Sequence, residues 1–313
     1  MAEPSPVIAT KQTPRALRPV EKTSADRERL VSLVKQAESS QAQDVRRTAL
    51  ERLADLASTQ PSVTGGLPPE AAVFRNNAAL VLAPVARVAS HDPSGHVRFA
   101  AVIVLRELIS RTPAVVFSTS CGIPETGGLM APPDDPPVGA LARNCLFPLM
   151  LGDPSHEVSQ AAEECLDLLF GKFADPFVGL AVLGPLMTLE AQQSRLSEAL
   201  EGHARGLTPE YLAEELQLAI RMASRCIRRM KDMHVVLPAI LPGLFHAFKH
   251  ASADVRKAVV FCLVDAYMVM GEAFTPYLSE LSASQLKLVT IYINRIAAKQ
   301  GNPNPSTPGR AVV

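Results

Sequence analysis

Four segments of this chain carry the same spaced set of small and branched apolar residues. They are Val45, Ala49, Leu53 and Leu56; Val97, Ala101, Leu105 and Leu108; Val158, Ala162, Leu166 and Leu169; and Val255, Val259, Leu263 and Ala266. Steps of 4, 4 and 3 residues place each set on one stripe of an α-helix. Four stripes in one register describe stacked copies of a helical unit, each completing its core only against its neighbours. The expected fold is all-α: one continuous α-solenoid, an armadillo-type superhelix of about five to six helix pairs. Such arrays present a surface to another protein rather than enclose a reaction.

Composition narrows the partners. The 313 residues carry no formal net charge, which argues against nucleic acid as the main partner. Trp is absent and aromatics are scarce, so the core is expected to be Leu, Val, Ala and Ile. Cys121, Cys145, Cys165, Cys226 and Cys262 contain no C-x-x-C pair, and Cys165 and Cys262 fall on helix stripes. They read as reduced, buried thiols of a cytosolic protein. No stretch reads as long and apolar enough for membrane insertion, and no apolar signal core follows Met1. A soluble cytosolic chain is expected.

Along the chain, residues 1–22 hold Pro4, Pro6, Pro14 and Pro19 among scattered cations and read as a disordered basic tail. Thr23, Ser24 and Asp26 then offer caps for a first helix through Leu30, Leu33 and Val34, whose partner begins near Asp44. Gln60–Glu70 reads as a loop. A second pair joins a helix through Ala79, Leu80, Leu82 and Val85 to Val97–Ile109. Residues 111–137, rich in Pro and Gly, read as a disordered insert. The third pair joins Leu141–Leu151 to Val158–Phe170. A helix over Leu180–Leu200 is expected to break near Gly184-Pro185. Pro209 suits the first turn of the next helix, and together these make a degenerate fourth repeat. Val235–Phe248 pairs with Val255–Met270, and a final helix over Ser282–Lys299, with Leu286, Val289, Ile293 and Ile296 on one face, caps the stack. Residues 300–313 read as a second tail. The array itself is expected over 23–299.

The residues that carry charge sit at equivalent places. Asp44-Val45-Arg46, Gly95-His96-Val97-Arg98 and Asp254-Val255-Arg256 mark the start of the second helix of three pairs. The acidic residues complement a helix N-terminus, and Arg46, Arg98 and Arg256 are placed to reach an aspartate of a neighbouring repeat. Ser159 stands in that position in the third repeat, so this structural ladder is expected to break there. The next position holds Arg47, Phe99, Gln160 and Lys257. With Lys249, the residues Arg47, Phe99 and Lys257 form a candidate edge for an acidic protein surface. Arg221, Arg225, Arg228 and Arg229 form the densest basic run and a second candidate patch.

Catalytic and cofactor signals are missing. His246 and His250 stand four apart on one helix, but Ala247 follows the first and no third ligand accompanies them, so no metal is expected. Gly127-Gly128 has no following Lys and no preceding strand, and Ser120 and Cys121 have no base partner in sequence. No cofactor and no enzymatic activity are expected.

The segment Leu237–Leu244, then Ala253–Val264, Gly271-Glu272, Pro276–Leu281, Gln285–Leu288 and Ile291–Arg295, resembles the C-terminal HEAT-repeat, TOG-like domain of the CLASP family of microtubule-stabilising proteins. Val104–Ile109 and Asp153–Val158 agree with it more weakly. The resemblance implies a microtubule-associated, non-catalytic interaction domain of the cytoplasm and cytoskeleton, at microtubule plus ends, spindle, kinetochore or cortex. Its implied protein partners are tubulin or microtubules, CAP-Gly linker proteins, kinetochore motors and cortical anchors. The upstream TOG domains, the Ser-Arg-rich region and a Ser-x-Ile-Pro motif for end-binding proteins are lacking; Ser120-Cys121-Gly122-Ile123-Pro124 places its Ser one residue too early. Two readings follow: recruitment of partner proteins, or direct tubulin binding along the turn edge. The absent Trp and the broken third turn favour the first.

Overall fold

The computed structural model describes residues 19–61, 66–111, 137–172, 176–200 and 208–299. The tail over 1–18, the insert over 112–136 with Ser120, Cys121 and Gly127-Gly128, and the tail over 300–313 lie outside the described residues.

An inner row of helices carries the stripes. It runs α2 (Gln43–Ser58), α5 (Gly95–Arg111), α8 (His156–Lys172), α11 (Pro209–Ile227), α13 (Ala253–Met270) and α14 (Ala283–Lys299), each packed on the next. An outer layer covers it: α1 (Pro19–Ser39) on α2, α4 (Ala78–His91) on α5, α7 (Phe147–Gly152) on α8, α9 (Pro176–Met187) on α11 and α12 (Leu237–Ala247) on α13. The all-α solenoid is the observed fold, and the described residues form helices without strands beyond an isolated bridge at Gly66.

The stripes are buried where a repeat lies on each side. Val97, Ala101, Leu105, Val158, Ala162, Leu166, Val255, Val259 and Leu263 are wholly inaccessible. Val45 is the exception, 43% exposed, because α2 is the first helix of the row and has no preceding inner helix to cover it. A buried Leu is worth about 1.5–3 kcal/mol, so these stripes dominate the stability of the array.

Several boundaries differ from the sequence reading. α1 begins at Pro19, inside the expected tail, so Thr23, Ser24 and Asp26 lie within the helix rather than capping it. Pro68-Pro69 does not simply extend a loop: Pro69 takes the first turn of α3 (Pro69–Asn76), which buries Ala71, Val73 and Phe74. Gly184-Pro185 stays inside α9, and the break falls at Thr188, before the additional helix α10 (Leu189–Leu200). Pro209 does open α11, with Thr208 as its cap: the hydroxyl accepts from the Tyr211 amide at 3.1 Å.

Proline marks the outer layer. Pro84, Pro185 and Pro242 lie inside α4, α9 and α12, each removing one backbone donor. In the third repeat Pro148 follows a π-helical turn over Ala142–Leu146, the widened turn accommodating the lost bond. Gly243 supplies the closest approach between repeats four and five. A Cβ there would collide with the backbone carbonyl of Met187, so only glycine lets α12 close on the end of α9. Gly271, at φ 60°, ends α13 and leads into a 3₁₀ segment over Gly271–Glu280 before α14.

One expectation about the membrane needs amendment. Ala253–Glu280 is long and apolar enough to meet the length and composition of a span, which the sequence reading denied to any stretch. Its apolar residues are the α13 core stripe, and half of the most apolar window is buried within the array.

Candidate interaction surfaces

The turns joining outer to inner helices line one edge of the array. Each is three residues long in the pairs α1–α2, α4–α5 and α7–α8, and five in α12–α13. Asp92 and Asp153 organise two of them: one carboxylate oxygen accepts from the amide two residues on, Ser94 at 2.9 Å and Ser155 at 2.8 Å.

The same carboxylates receive an arginine from the preceding repeat. Arg46 donates from Nε and Nη2 to Asp92 at 2.6 and 3.1 Å, and Arg98 to Asp153 at 2.7 and 3.0 Å. Each guanidinium also donates to two carbonyls of its own turn, Ser40 and Gln41 for Arg46, Asp92 and Pro93 for Arg98. The Arg98–Asp153 side chains are 11% and 3% exposed. Such a two-pronged, charge-assisted pair fixes the angle between repeats as well as their contact. The hydrogen bond to Asp153 raises the Arg98 guanidinium further above its ordinary value, against the opposing effect of burial.

The pairing stops at the third repeat. The Ser159 hydroxyl donates to the carbonyls of Leu149 and Asp153 at 3.2 and 3.4 Å, replacing the own-turn bonds and nothing more. In the fifth repeat Arg256 donates to the carbonyls of His250 and Ala251, both at 2.6 Å, and stays within its own turn. His250 stands where Asp92 and Asp153 stand, and its Nδ1 accepts from the Ser252 amide at 3.0 Å. Asp44 and Asp254 take no rung of the ladder. Asp44 is 88% exposed and lies 3.9 Å from Arg47, and Asp254 sits in the first turn of α13.

The candidate edge residues occupy equivalent positions but differ in state. Arg47 is half-exposed and lies 3.6 Å from Glu51 of its own helix. Phe99 is half-buried against the core. Lys249, in the α12–α13 turn, and Lys257, near the start of α13, are both exposed. Glu157 and Gln160 interrupt the strip between them. The structure therefore places Lys249 in the α12–α13 turn and Lys257 near the start of α13, with Arg47 and Phe99 near the starts of α2 and α5.

The basic run on α11 is not a free patch. Arg221 meets Glu163 at 2.9 Å and Arg225 meets Asp167 at 2.8 Å, both on α8. Arg228 approaches Asp265 of α13 at 3.4 Å, and Arg229 donates to the Phe170 carbonyl at 2.8 Å. Helical spacing alone hid this, because the partners lie about one repeat away in sequence. Asp92 and Asp153 were likewise unnamed by the sequence reading; the shared Asp-Pro-Ser string at 92–94 and 153–155 was the signal.

The four described cysteines are buried. Burial pushes Cys145 up to about 11 and Cys226 up to about 12, and raises Cys165 and Cys262 further, so these thiols stay protonated. Among the described residues no three His, Cys, Asp or Glu side chains converge as metal ligands. His250 is held below the ordinary imidazole value by burial, then by His246 and Arg256.

No family model matches the chain. A CLIP-associated protein of Arabidopsis thaliana is 37% identical over 154 residues, 48% of this chain and 9% of that protein. CLIP-associating protein 1-B of Xenopus laevis is 32% identical over 178 residues, 50% of this chain and 12% of that protein. The matched segment thus spans about a tenth of these relatives' length. A structure of TOG-domain arrays from microtubule polymerases, solved for tubulin recruitment and assembly, superposes with a TM-score of 0.53 at 15% identity, over 83% of this chain and 45% of that one. A second, concerning TOG–tubulin binding specificity, gives 0.50 at 16% identity over 91% and 90%. Over about half its length the chain is similar to the CLIP-associating proteins, and it shares its fold with TOG domains.

Proposed function

We propose that this chain is a microtubule-associated, non-catalytic interaction module of CLASP type, which contributes to microtubule stabilisation and to plus-end, spindle or kinetochore organisation by recruiting other proteins. The observation that carries this reading is the state of the charges: the basic run Arg221, Arg225, Arg228 and Arg229, a candidate patch for an acidic partner, is spent on groups of neighbouring helices. What remains along the turn edge is interrupted by Glu157 and Gln160. The relatives' names, which refer to association with CLIP proteins, support recruitment. CAP-Gly linker proteins, kinetochore motors and cortical anchors are the partners the family resemblance implies, and the cytoplasmic cytoskeleton is the implied location. Buried, protonated thiols support a non-enzymatic role.

A second reading is direct tubulin binding along the turn edge. It is favoured by the exposed Lys249 and Lys257, in the α12–α13 turn and near the start of α13, and by the structural neighbours, whose studies concern tubulin. Co-sedimentation of the full chain with microtubules at low and physiological salt separates the two. Recruitment predicts that the chain alone stays in the supernatant at physiological salt. Salt-sensitive pelleting that is lost with Lys249→Glu and Lys257→Glu supports the second reading.

A further inference from the structure

Among the described residues α14 is the last helix of the inner row, and its outward side differs from the rest of the row. Each earlier inner helix after α2 is covered on both flanks by neighbours. α14 packs on α13 through Val289 and Ile293, which are fully buried, and turns Leu288 and Ile291 outward, 40% and 52% exposed. Leu288, Ile291 and Arg295 follow the three- and four-residue steps of one helical face. Beside them, Phe261 of α13, 38% exposed, packs edge-on against Tyr292 with ring centres 5.3 Å apart.

Charge distinguishes this end from the middle. Across α5, α8, α11 and α13 the arginines face carboxylates: Arg106–Glu164, Arg221–Glu163, Arg225–Asp167 and Arg228–Asp265. α14 carries Lys287, Arg295 and Lys299 and no acidic residue. Among the described residues neither Lys257 nor Arg295 forms an ion pair. Lys257 lies one turn before Phe261, and Arg295 one turn after Tyr292. Asp254 is the nearest acid in sequence on that face of α13.

We propose that the face formed by Phe261, Leu288, Ile291 and Tyr292, rimmed by Lys257 and Arg295, docks an acidic amphipathic helix of a partner protein. The incoming helix takes the place the next inner helix would occupy, with its apolar ridge on Leu288 and Ile291 and its carboxylates on the two cations. A lipid surface is a poorer fit, because each cation near an anionic membrane contributes only about 1 kcal/mol and the exposed aliphatics are few. A second copy of the chain is poorer too, since the exposed face of α2 around Val45 carries Asp44, Arg47, Glu51 and Arg52 in mixed sign. The proposal rests on the reading of the chain as an interaction module. It shares Lys257 with the turn edge but not Lys249, Leu288, Ile291 or Arg295, so loss of peptide binding with Ile291→Ser and Arg295→Glu, without loss with Lys249→Glu, distinguishes its failure from that of microtubule co-sedimentation.

The test selects a random-peptide display library on the full chain, then measures the enriched peptides by fluorescence anisotropy. The expected peptides carry apolar residues at helical spacing among Asp and Glu. Their binding weakens about tenfold or more with Ile291→Ser and with Arg295→Glu, and is unchanged by Lys249→Glu. Both test positions are exposed, and thermal unfolding of each variant checks that the fold persists. The proposal is overturned by enriched peptides without net negative charge, by binding indifferent to both substitutions, or by no enrichment. It is equally overturned if the chain instead binds phosphatidylserine vesicles, or self-associates in ultracentrifugation, through the same residues.

Discussion

The turn before α8 and the turn before α13 are built to one plan and differ at the residue that organises them. Asp153 accepts the Ser155 amide and also the Arg98 guanidinium of the previous repeat. His250 accepts the Ser252 amide in the same way, and Arg256 closes both turn carbonyls as Arg98 does. A neutral imidazole nitrogen has one lone pair to offer; a carboxylate has several. The imidazole therefore serves the turn but leaves nothing for a preceding repeat. The first three repeats are tied at their turns by buried ion pairs, whereas the turn before α13 has none; there Asp265 takes Arg228 and the Ser224 hydroxyl further along the helices, and Gly243 lets the backbones meet.

The largest way to break this contrast is Asp153→Ala. It leaves Arg98 buried without its partner and the Ser155 amide without its acceptor. A loss of about 3–5 kcal/mol is expected in urea unfolding. His250→Ala, removing one neutral acceptor, should cost about 1–3 kcal/mol.

Gly243→Ala tests the other half of the contrast. The added methyl meets the Met187 carbonyl, and overpacking of this kind costs about 1–3 kcal/mol or more. A variant as stable as the parent would mean that α12 and α9 are not in close contact.

The pH dependence sharpens the comparison further. Burial, with His246 and Arg256, holds His250 below its ordinary value, so the folded chain binds fewer protons than the unfolded one in mildly acidic solution. Its contribution is complete above about pH 6.5 and is lost as the pH falls through the lower folded-state value. The groups facing it are His246, Arg256, and across the groove Arg195, Glu210 and Glu215. His250→Asp should remove this part of the acid sensitivity, read as a smaller drop in Tm between neutral and mildly acidic buffer. An identical drop in both proteins would refute the role given to the imidazole.

The smallest effect is expected from Arg221→Ala. Both partners of its pair with Glu163 are about two-fifths exposed, and such a pair contributes about 0.2–1 kcal/mol. The change in denaturation midpoint should be close to experimental error.

Periodicity made the inner row legible, because stripes such as Val97–Leu108 depend on local spacing and lie between two neighbours. The same rule failed for Val45, whose environment depends on its place in the row. Prolines misled in both directions: Pro69 opens a helix and Pro185 sits inside one. The ladder arginines were legible as a repeated position, but their recipients, 46 and 55 residues away, needed the stacked geometry. The basic run on α11 read as a patch because its neutralising carboxylates lie on α8 and α13. The open face of α14 was not legible, because spacing sets Leu288 and Ile291 off the Val289–Ile293 stripe without showing whether another helix covers them.

The most direct test of the contrast is amide hydrogen exchange at Ser155 and Ser252, followed from neutral to mildly acidic pH. The account predicts that Ser155 opens only with global unfolding. Ser252 should open at lower free energy, and more readily as His250 takes up a proton. Equal protection at both amides, unchanged by pH, would contradict it.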